Sequence, residues 1–130
     1  MAQSLYMHLL VVEHNTLLCE RLQKLFEADG AHVVCSATVE EGLACLSEQA
    51  FDACVIEHAL PAMDGMQMLV RLRERGDYTP IILLSYEVGA QFRVQGFDAG
   101  ADGVLIHPFE EAELAARVRS LVRRNHGHCR

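Results

Sequence analysis

The feature that most constrains the fold of this chain is the alternation of short apolar runs with longer amphipathic stretches. Five runs are almost continuously hydrophobic, at residues 9–12, 33–35, 53–56, 81–84 and 104–106. Strands that are buried on both faces of a parallel sheet have this composition. The stretches between them place apolar residues at helical spacing. This strict alternation predicts an α/β fold, a doubly wound five-stranded parallel sheet with five helices and right-handed crossovers.

Several residues mark the expected ends of the helices. Gly30 ends the first helix, and Thr38 and Glu41 have the spacing of a capping box at the start of the second. The fourth helix has the weakest pattern, because Gly89 and Gly96 fall within it. The other helices have a clear apolar face directed toward the sheet.

Length and composition indicate a single globular domain. The chain has 130 residues, 51% of them hydrophobic, and a formal net charge of −7. We expect one domain spanning 1–130, with an ordered core at about 7–124 and a frayed tail or the start of a linker at 125–130. No apolar run reaches the ~18–20 residues of a membrane span, and the N-terminus does not resemble a signal peptide. The acidic charge argues against direct nucleic-acid binding. Since neither a membrane span nor a signal peptide is evident, we expect a cytoplasmic protein without membrane contact.

The cysteines do not form a recognisable framework. There are five, Cys19, Cys35, Cys45, Cys54 and Cys129, and none belongs to a C-x-x-C pair. An odd, widely spaced set fits neither a zinc ribbon nor a disulfide scaffold. The first four lie in apolar segments, so we expect them to be small buried hydrophobic residues.

Four of the predicted strands are followed by residues with functional side chains. Parallel strands end at a common edge of the sheet, and folds of this kind place their binding sites at that edge. These residues are Glu13 and His14, Glu57 and His58, Ser85 and Tyr86, and His107 with Pro108 and Phe109. Carboxylates, imidazoles and a hydroxyl are therefore expected to converge at one edge of the sheet.

Residues 9–124 resemble the receiver domain of bacterial two-component response regulators. Four motifs carry the resemblance: Val11-Val12-Glu13, Leu60-Pro61-Ala62-Met63-Asp64-Gly65, Ala99-Gly100-Ala101-Asp102-Gly103, and Pro108-Phe109 followed by Glu113-Leu114. The resemblance implies a flavodoxin-like receiver fold with strand order 2-1-3-4-5. It also implies a regulatory function in two-component signalling rather than an enzymatic one. No set of nucleophile, base and orienting residue and no glycine-rich phosphate loop is evident.

The residues that such receivers use for phosphorylation are mostly replaced. The resemblance places an acceptor aspartate at Glu57 and an acidic pair that holds magnesium at Glu13 and His14. It places a conserved lysine at His107, and Lys24 is the only lysine in the chain.

The parts of the receiver switch are only partly retained. The hydroxyl that senses the phosphoryl group aligns with Ser85, and the switch aromatic aligns with Val104. Magnesium prefers a shell of oxygen ligands, and an imidazole among these ligands weakens its binding. The negative charge that develops on a transferring phosphoryl group also needs a positive charge to stabilise it. We therefore expect an atypical receiver that acts independently of phosphorylation, binds magnesium weakly or not at all, and carries no other cofactor.

Other interpretations of the site remain open. In the first interpretation, Glu57 mimics a phosphorylated acceptor by directing its negative charge toward Ser85. In the second, His58 or Glu57 is itself phosphorylated. A third makes Glu13, His14, Glu57 and His107 the ligands of zinc, nickel or copper, with His126, His128 and Cys129 as a second, weak set. A fourth makes the module pH-responsive, with carboxylates that raise the imidazole pKa values.

Charged residues on the last two helices and the last strand suggest a two-fold interface. The resemblance to receivers with DNA-binding outputs implies a homodimer through this face. The residues expected to form it are Arg93, Asp98, Asp102, Arg117 and Arg119. The same resemblance implies that the domain regulates an attached or partner output that contacts DNA, through protein partners rather than by binding nucleic acid itself.

Overall fold

The five apolar runs form one fully parallel sheet. In the computed structural model, which describes residues 6–127, the strand order is β2-β1-β3-β4-β5. The strands are β1 (Met7–Val12), β2 (Ala31–Ser36), β3 (Ala53–Glu57), β4 (Ile81–Ser85) and β5 (Gly103–Ile106). The helices are α1 (Thr16–Glu27), α2 (Val39–Glu48), α3 (Gly65–Glu74), α4 (Ala90–Asp98) and α5 (Glu111–Gly127). The predicted fold class, strand order and number of elements are confirmed.

The helices cover both faces of the sheet, and alternate residues of each central strand supply the two halves of the core. Leu9 and Val11 of β1 pack into the half that contains Phe26 of α1 and Val118 of α5. On the opposite face, neighbouring β1 residues pack into the half formed with α2 and α3, which includes Leu69. Side chains alternate between the faces of a strand, so continuous apolar runs are required when both faces are covered.

Local capping fixes where the helices begin. The Thr38 hydroxyl accepts a hydrogen bond from the Glu41 N–H, so the predicted N-cap forms. The Glu41 carboxylate accepts from the Ala37 N–H rather than from the Thr38 N–H, so the predicted capping box is not completed. Asp64 and Gln67 form a full capping box at α3. The predicted fourth helix is present, but Gly89 at its N-cap makes no side-chain hydrogen bond.

The last helix extends beyond its predicted end. α5 continues to Gly127, so residues 125–127 of the expected tail are helical. The imidazole Nε2 of His126 lies 2.8 Å from Oδ1 of Asp52, which joins α5 to the segment before β3. Residues 128–130, including His128 and Cys129 of the expected metal-binding tail, lie outside the described residues.

The prediction that four cysteines are buried is wrong for Cys35. Cys19 and Cys54 are buried and Cys45 is partly buried, whereas Cys35 is exposed. The sequence does not reveal this difference, because β2 lies at the edge of the sheet and one end of its apolar run reaches solvent. Between residues 6 and 127, no helix combines the length and the apolarity needed to cross a membrane.

Candidate functional site

The candidate site lies at the edge of the sheet where the strands end. β3 and β4 pair so that Glu57 is opposite Leu84, and β4 and β5 pair so that Ser85 is opposite Ile106. The backbone N–H of His107 then donates to the carbonyl of Ser85 at 2.8 Å. These ladder hydrogen bonds bring the residues that follow β3 and β5 toward each other across the end of β4.

A hydrogen bond between Glu57 and His107 is the central feature of the site. Oε1 of Glu57 lies 2.6 Å from Nε2 of His107. The two side chains are only 3% and 8% exposed. The other oxygen of Glu57, Oε2, accepts a longer hydrogen bond of 3.4 Å from the Ala59 N–H. The carboxyl at the acceptor position is therefore paired with the residue at the lysine position.

Burial shifts the proton affinity of this pair. It raises the pKa of Glu57 to about 7, against backbone hydrogen bonds that lower it. Burial also lowers the pKa of His107, and the smaller opposing effect of the Glu13 carboxylate does not reverse the shift. The expectation that carboxylates raise the pKa of this imidazole is wrong, because the loss of solvation outweighs their attraction. The short contact is thus a site where one proton is held between Oε1 and Nε2 near neutral pH.

Glu13 forms the second carboxyl of the site. It is 5% exposed, and its Oε2 accepts a hydrogen bond of 2.9 Å from the Asn15 N–H. Burial raises its pKa, and the neighbouring Glu57 raises it further. Its Oε1 has no hydrogen-bond partner among the described residues. Two buried carboxyls lie close together at this edge, and the pKa of each is raised.

Aromatic rings enclose the imidazole of His107. The Tyr86 ring stacks on it, with centroids 4.0 Å apart and an angle of 16° between the planes. Phe109 lies on it at a tilt, with centroids 5.0 Å apart. Tyr86 is 67% exposed and covers His107 from the solvent side. Its position directly after β4 was the signal that it belonged to the site.

Three other predicted residues have separate environments. Ser85 is fully buried, and its Oγ accepts a hydrogen bond of 2.9 Å from the Glu87 N–H. It does not contact the Glu57 carboxyl. The oxygens of that carboxyl bind His107 and the Ala59 N–H instead. His58 lies edge-on to Phe92, with centroids 4.9 Å apart. Val104 is buried and packs on α4, where a Cβ added to Gly96 would lie 3.0 Å from its Cγ2.

His14 does not join the cluster that the sequence predicted. Its side chain is exposed, and within residues 6–127 it forms no hydrogen bond or ion pair. The same part of the chain contains no group of three or more His, Cys, Asp or Glu side chains arranged to hold a metal ion. The proposed ligand set of Glu13, His14, Glu57 and His107 is therefore not assembled. This donor set also does not match the oxygen-rich shell of a magnesium ion, since one carboxylate oxygen is already bound to His107.

The predicted dimer-face residues divide between several local ion pairs. Arg117 lies 3.2 Å from Glu113 on the same helix, and Asp102 accepts a hydrogen bond from the guanidinium of Arg73 at 3.3 Å. The guanidinium of Arg119 contacts Asp29, which follows α1, at 2.7 Å. Residues two apart on a helix point about 200° apart, so Arg119 lies on the α1 side and not beside Arg117.

Arg93 and Asp98, the two predicted dimer-face residues on α4, are exposed. The same helix exposes apolar side chains, because Val94 and Phe97 are 56% and 49% exposed. This surface is continuous in sequence with Val88, which is 78% exposed in the loop before α4.

The fold and the arrangement of its carboxyl edge define a receiver domain. Residues 9–119 match the family described as the response regulator receiver domain, and the chain belongs to that family. It is 39% identical over 124 residues to the transcriptional regulatory protein TctD of Salmonella typhimurium, and 38% identical over 121 residues to the two-component response regulator PhoP of Pseudomonas aeruginosa. Each alignment covers 93% of this chain and 54% of the relative, so the chain spans about half the length of these relatives.

A solved structure agrees with this assignment. The receiver domain of the Francisella response regulator 1452 superimposes with a TM-score of 0.90 at 28% sequence identity. The match covers 92% of this chain and 98% of the other. The predicted resemblance to receiver domains is confirmed.

Proposed function

We propose that this receiver domain regulates its output without aspartyl phosphorylation. The observation that carries the proposal is the 2.6 Å hydrogen bond between Glu57 and His107. Glu57 stands at the position of the acceptor aspartate, and His107 stands at the position of the conserved lysine. An internal contact between side chains takes the place of a contact between a phosphoryl group and a lysine. The conformation of the edge is then set by the sequence and by partners rather than by a phosphodonor.

The chemistry of the site supports this proposal. In-line attack on a phosphodonor requires a carboxylate oxygen in a defined position, and Glu57 places its oxygens one methylene further out than aspartate does. With a pKa of about 7, Glu57 is protonated in much of the population at neutral pH, so its nucleophilicity is reduced. The only lysine, Lys24, belongs to α1. Among the described residues, the position of the conserved lysine holds His107, so charge that develops on a transferring phosphoryl group meets an imidazole instead of a fixed cation. Magnesium binds weakly or not at all.

Mass spectrometry of the intact protein tests this proposal. The wild-type chain is incubated with acetyl phosphate and magnesium, and we expect no adduct of about 80 Da, the mass of one phosphoryl group. The matched control carries Glu57→Asp, His14→Asp and His107→Lys together, which restores the residues that the family uses, and we expect it to gain the adduct. A stable adduct on the wild-type chain, at Glu57 or His58, would overturn the proposal.

The relatives indicate what the domain regulates. TctD is a transcriptional regulatory protein, and this chain covers about half of its length. We propose that the domain acts in the cytoplasm on an attached or partner DNA-binding output, by protein contacts and not as an enzyme. The net charge of −7 supports a role that leaves DNA contact to the output.

Dimerisation is the expected means of that regulation. The proposed interface comprises α4, β5 and α5, and the exposed apolar side chains of Val94 and Phe97 support it. Sedimentation velocity tests it with Phe97→Glu, which we expect to convert a dimer into a monomer. Val70→Glu, at an apolar position 39% exposed on α3, is the control and should leave the dimer intact. A monomeric wild-type protein, or equal effects of the two variants, would contradict this interface.

A pH-dependent state is the second candidate function. The observation that favours it is the buried pair itself, because burial places the pKa of Glu57 at about 7. Loss of the shared proton above this pH leaves a buried carboxylate facing a neutral imidazole and weakens the contact between the ends of β3 and β5. A change in cytoplasmic pH would then alter the surface around Tyr86 and His107.

A further inference from the structure

The groove between α1 and β2 contains two cysteines that the proposed function does not use. The Sγ of Cys35, on β2, lies 4.0 Å from the carbonyl oxygen of Cys19 and 3.9 Å from Oε1 of Gln23, both on α1. The Cys35 thiol is also near enough to contribute to the raised pKa of the Cys19 thiol. Cys19 and Cys35 therefore face each other from a helix and from the edge strand of the sheet.

The two thiols differ in their access to solvent. Cys35 is exposed, whereas Cys19 is 9% exposed. Both line an open groove of about 290 Å³, together with Glu20 and Gln23. This volume admits a small oxidant to Cys35 while the Cys19 sulfur remains behind it.

We propose that Cys19 and Cys35 form a redox-sensitive pair that a hydroperoxide converts into an intramolecular disulfide linking α1 to β2.

The reaction takes place in two steps. The thiolate of Cys35 attacks one oxygen of the hydroperoxide, so that an S–O bond forms, the O–O bond breaks, and water or an alcohol leaves after protonation. The sulfur of Cys19 then attacks the sulfur of the sulfenic acid. It loses its proton, and the hydroxyl of Cys35 leaves as water. Two thiols lose two electrons, which reduce the hydroperoxide.

The surroundings assign the order of attack. Burial raises the pKa of Cys19 to about 12, so this thiol is a poor first nucleophile. Cys35 is the accessible thiol and reacts first. Cys19 is the resolving thiol, because its carbonyl oxygen lies 4.0 Å from the Cys35 sulfur and both residues line the same groove.

The other described cysteines are separated from this pair. Cys45 of α2 lies 3.6 Å from the hydroxyl of Ser36, the residue after Cys35. Neighbouring residues of a strand point to opposite faces, so Cys45 and Cys35 lie on different sides of β2. Cys54 is fully buried in the core half of the sheet that faces α2 and α3. Cys45→Ser is therefore a matched control.

Peptide mapping under non-reducing conditions tests the proposal. The protein is treated with hydrogen peroxide, free thiols are blocked by alkylation, and the chain is cleaved after glutamate. This cleavage places Cys19 in peptide 14–20 and Cys35 in peptide 28–40, with no other cysteine in either. We expect these two peptides to be joined, with a mass about 2 Da below the sum of their reduced forms. The cross-link should persist in Cys45→Ser, disappear in Cys35→Ser, and be reversed by dithiothreitol.

The wild-type map decides the proposal by itself, even if a variant folds poorly. A cross-link between peptide 28–40 and any peptide other than 14–20 would overturn it. So would a disulfide between two chains on a non-reducing gel, or oxidation of Cys35 to a sulfinic acid without a cross-link. Unreacted thiols at a peroxide concentration that oxidises a dithiol peptide would also overturn it.

Discussion

His107 bridges the ends of two strands that are not neighbours, because its Nε2 lies 2.6 Å from Oε1 of Glu57 across the end of β4. Both groups are buried, and burial shifts their pKa values toward the neutral forms: it raises that of Glu57 and lowers that of His107. The contact exists because each group relieves the cost of burying the other. Its contribution to stability is therefore best seen when one partner is removed.

The two single variants of this pair should tilt the pH dependence of stability in opposite directions. In His107→Gln, the folded chain holds the Glu57 proton up to a pKa of about 7, while the unfolded chain releases it near 4.5, so the free energy of unfolding falls as pH rises between these values. In Glu57→Gln, the unfolded chain binds a proton at the ordinary histidine value of 6.5 and the folded chain binds it only at lower pH. The free energy of unfolding therefore rises with pH up to about 6.5.

Urea unfolding followed by circular dichroism at several pH values between about 5 and 8 measures this difference. We expect the two variants to diverge by about 1–3 kcal/mol across the range, and the wild-type profile to lie between them. Parallel profiles would show that the pair does not hold its proton as proposed.

The sequence predicted the sheet and the edge, but not which side chains meet there. Continuous apolar runs predicted a parallel sheet covered on both faces. The strand order was implied by the resemblance to receiver domains. Glu57 and His107 were expected at the same edge of the sheet, and the structure shows that they form a direct hydrogen bond there. The direction of the His107 pKa shift was missed, since it depends on burial, which emerges only when Tyr86 and Phe109 cover the ring.

Other errors have equally local causes. His14 was placed in the cluster by its position after β1, but its side chain points to solvent. Arg117 and Arg119 were assigned to one face, although their helical phase separates them. A sequence shows which element carries a residue more readily than which direction its side chain takes.

Gly65 positions α3 against the site, and a side chain there should destabilise the fold. A Cβ at this position would lie 2.5 Å from the carbonyl oxygen of Glu57 and 2.9 Å from the Cα of His58. Both are backbone atoms that cannot rotate away. We expect Gly65→Ala to lower the free energy of unfolding by about 1–3 kcal/mol. Gly103→Ala is the control, because its Cβ would meet Ile82 at 3.4 Å, an ordinary contact, and equal losses would contradict this account.

Magnesium should not stabilise the wild-type domain. The Glu57 carboxyl is bound to His107, and its neighbour Glu13 also has a raised pKa, so neither supplies a free carboxylate at low cost. We expect about 10 mM magnesium chloride to change the melting temperature by less than about 1 °C, compared with sodium chloride of equal ionic strength. The triple variant Glu57→Asp, His14→Asp and His107→Lys should gain several degrees. A similar gain in the wild-type protein would contradict the proposed loss of the ion.

Arg73 should be the arginine whose loss is most costly among those on α3. Its side chain is 15% exposed, and its guanidinium donates to the carbonyl oxygens of Gly100 at 2.7 Å, Asp77 at 2.8 Å and Thr79 at 2.9 Å. These bonds connect the loop before β4 to the loop before β5, and the planar guanidinium spans carbonyls that a lysine ammonium would not reach together.

Removing this guanidinium should leave several carbonyl groups without a donor. We expect Arg73→Met to lower the free energy of unfolding by about 2–4 kcal/mol and Arg73→Lys to restore only part of it. Arg71 lies two residues before Arg73 on the same helix and is exposed, so it supplies the control. Arg71→Met should change stability by less than about 0.5 kcal/mol. If the two methionine variants unfold at the same urea concentration, the two loops are held together by their own backbone and apolar contacts rather than by Arg73.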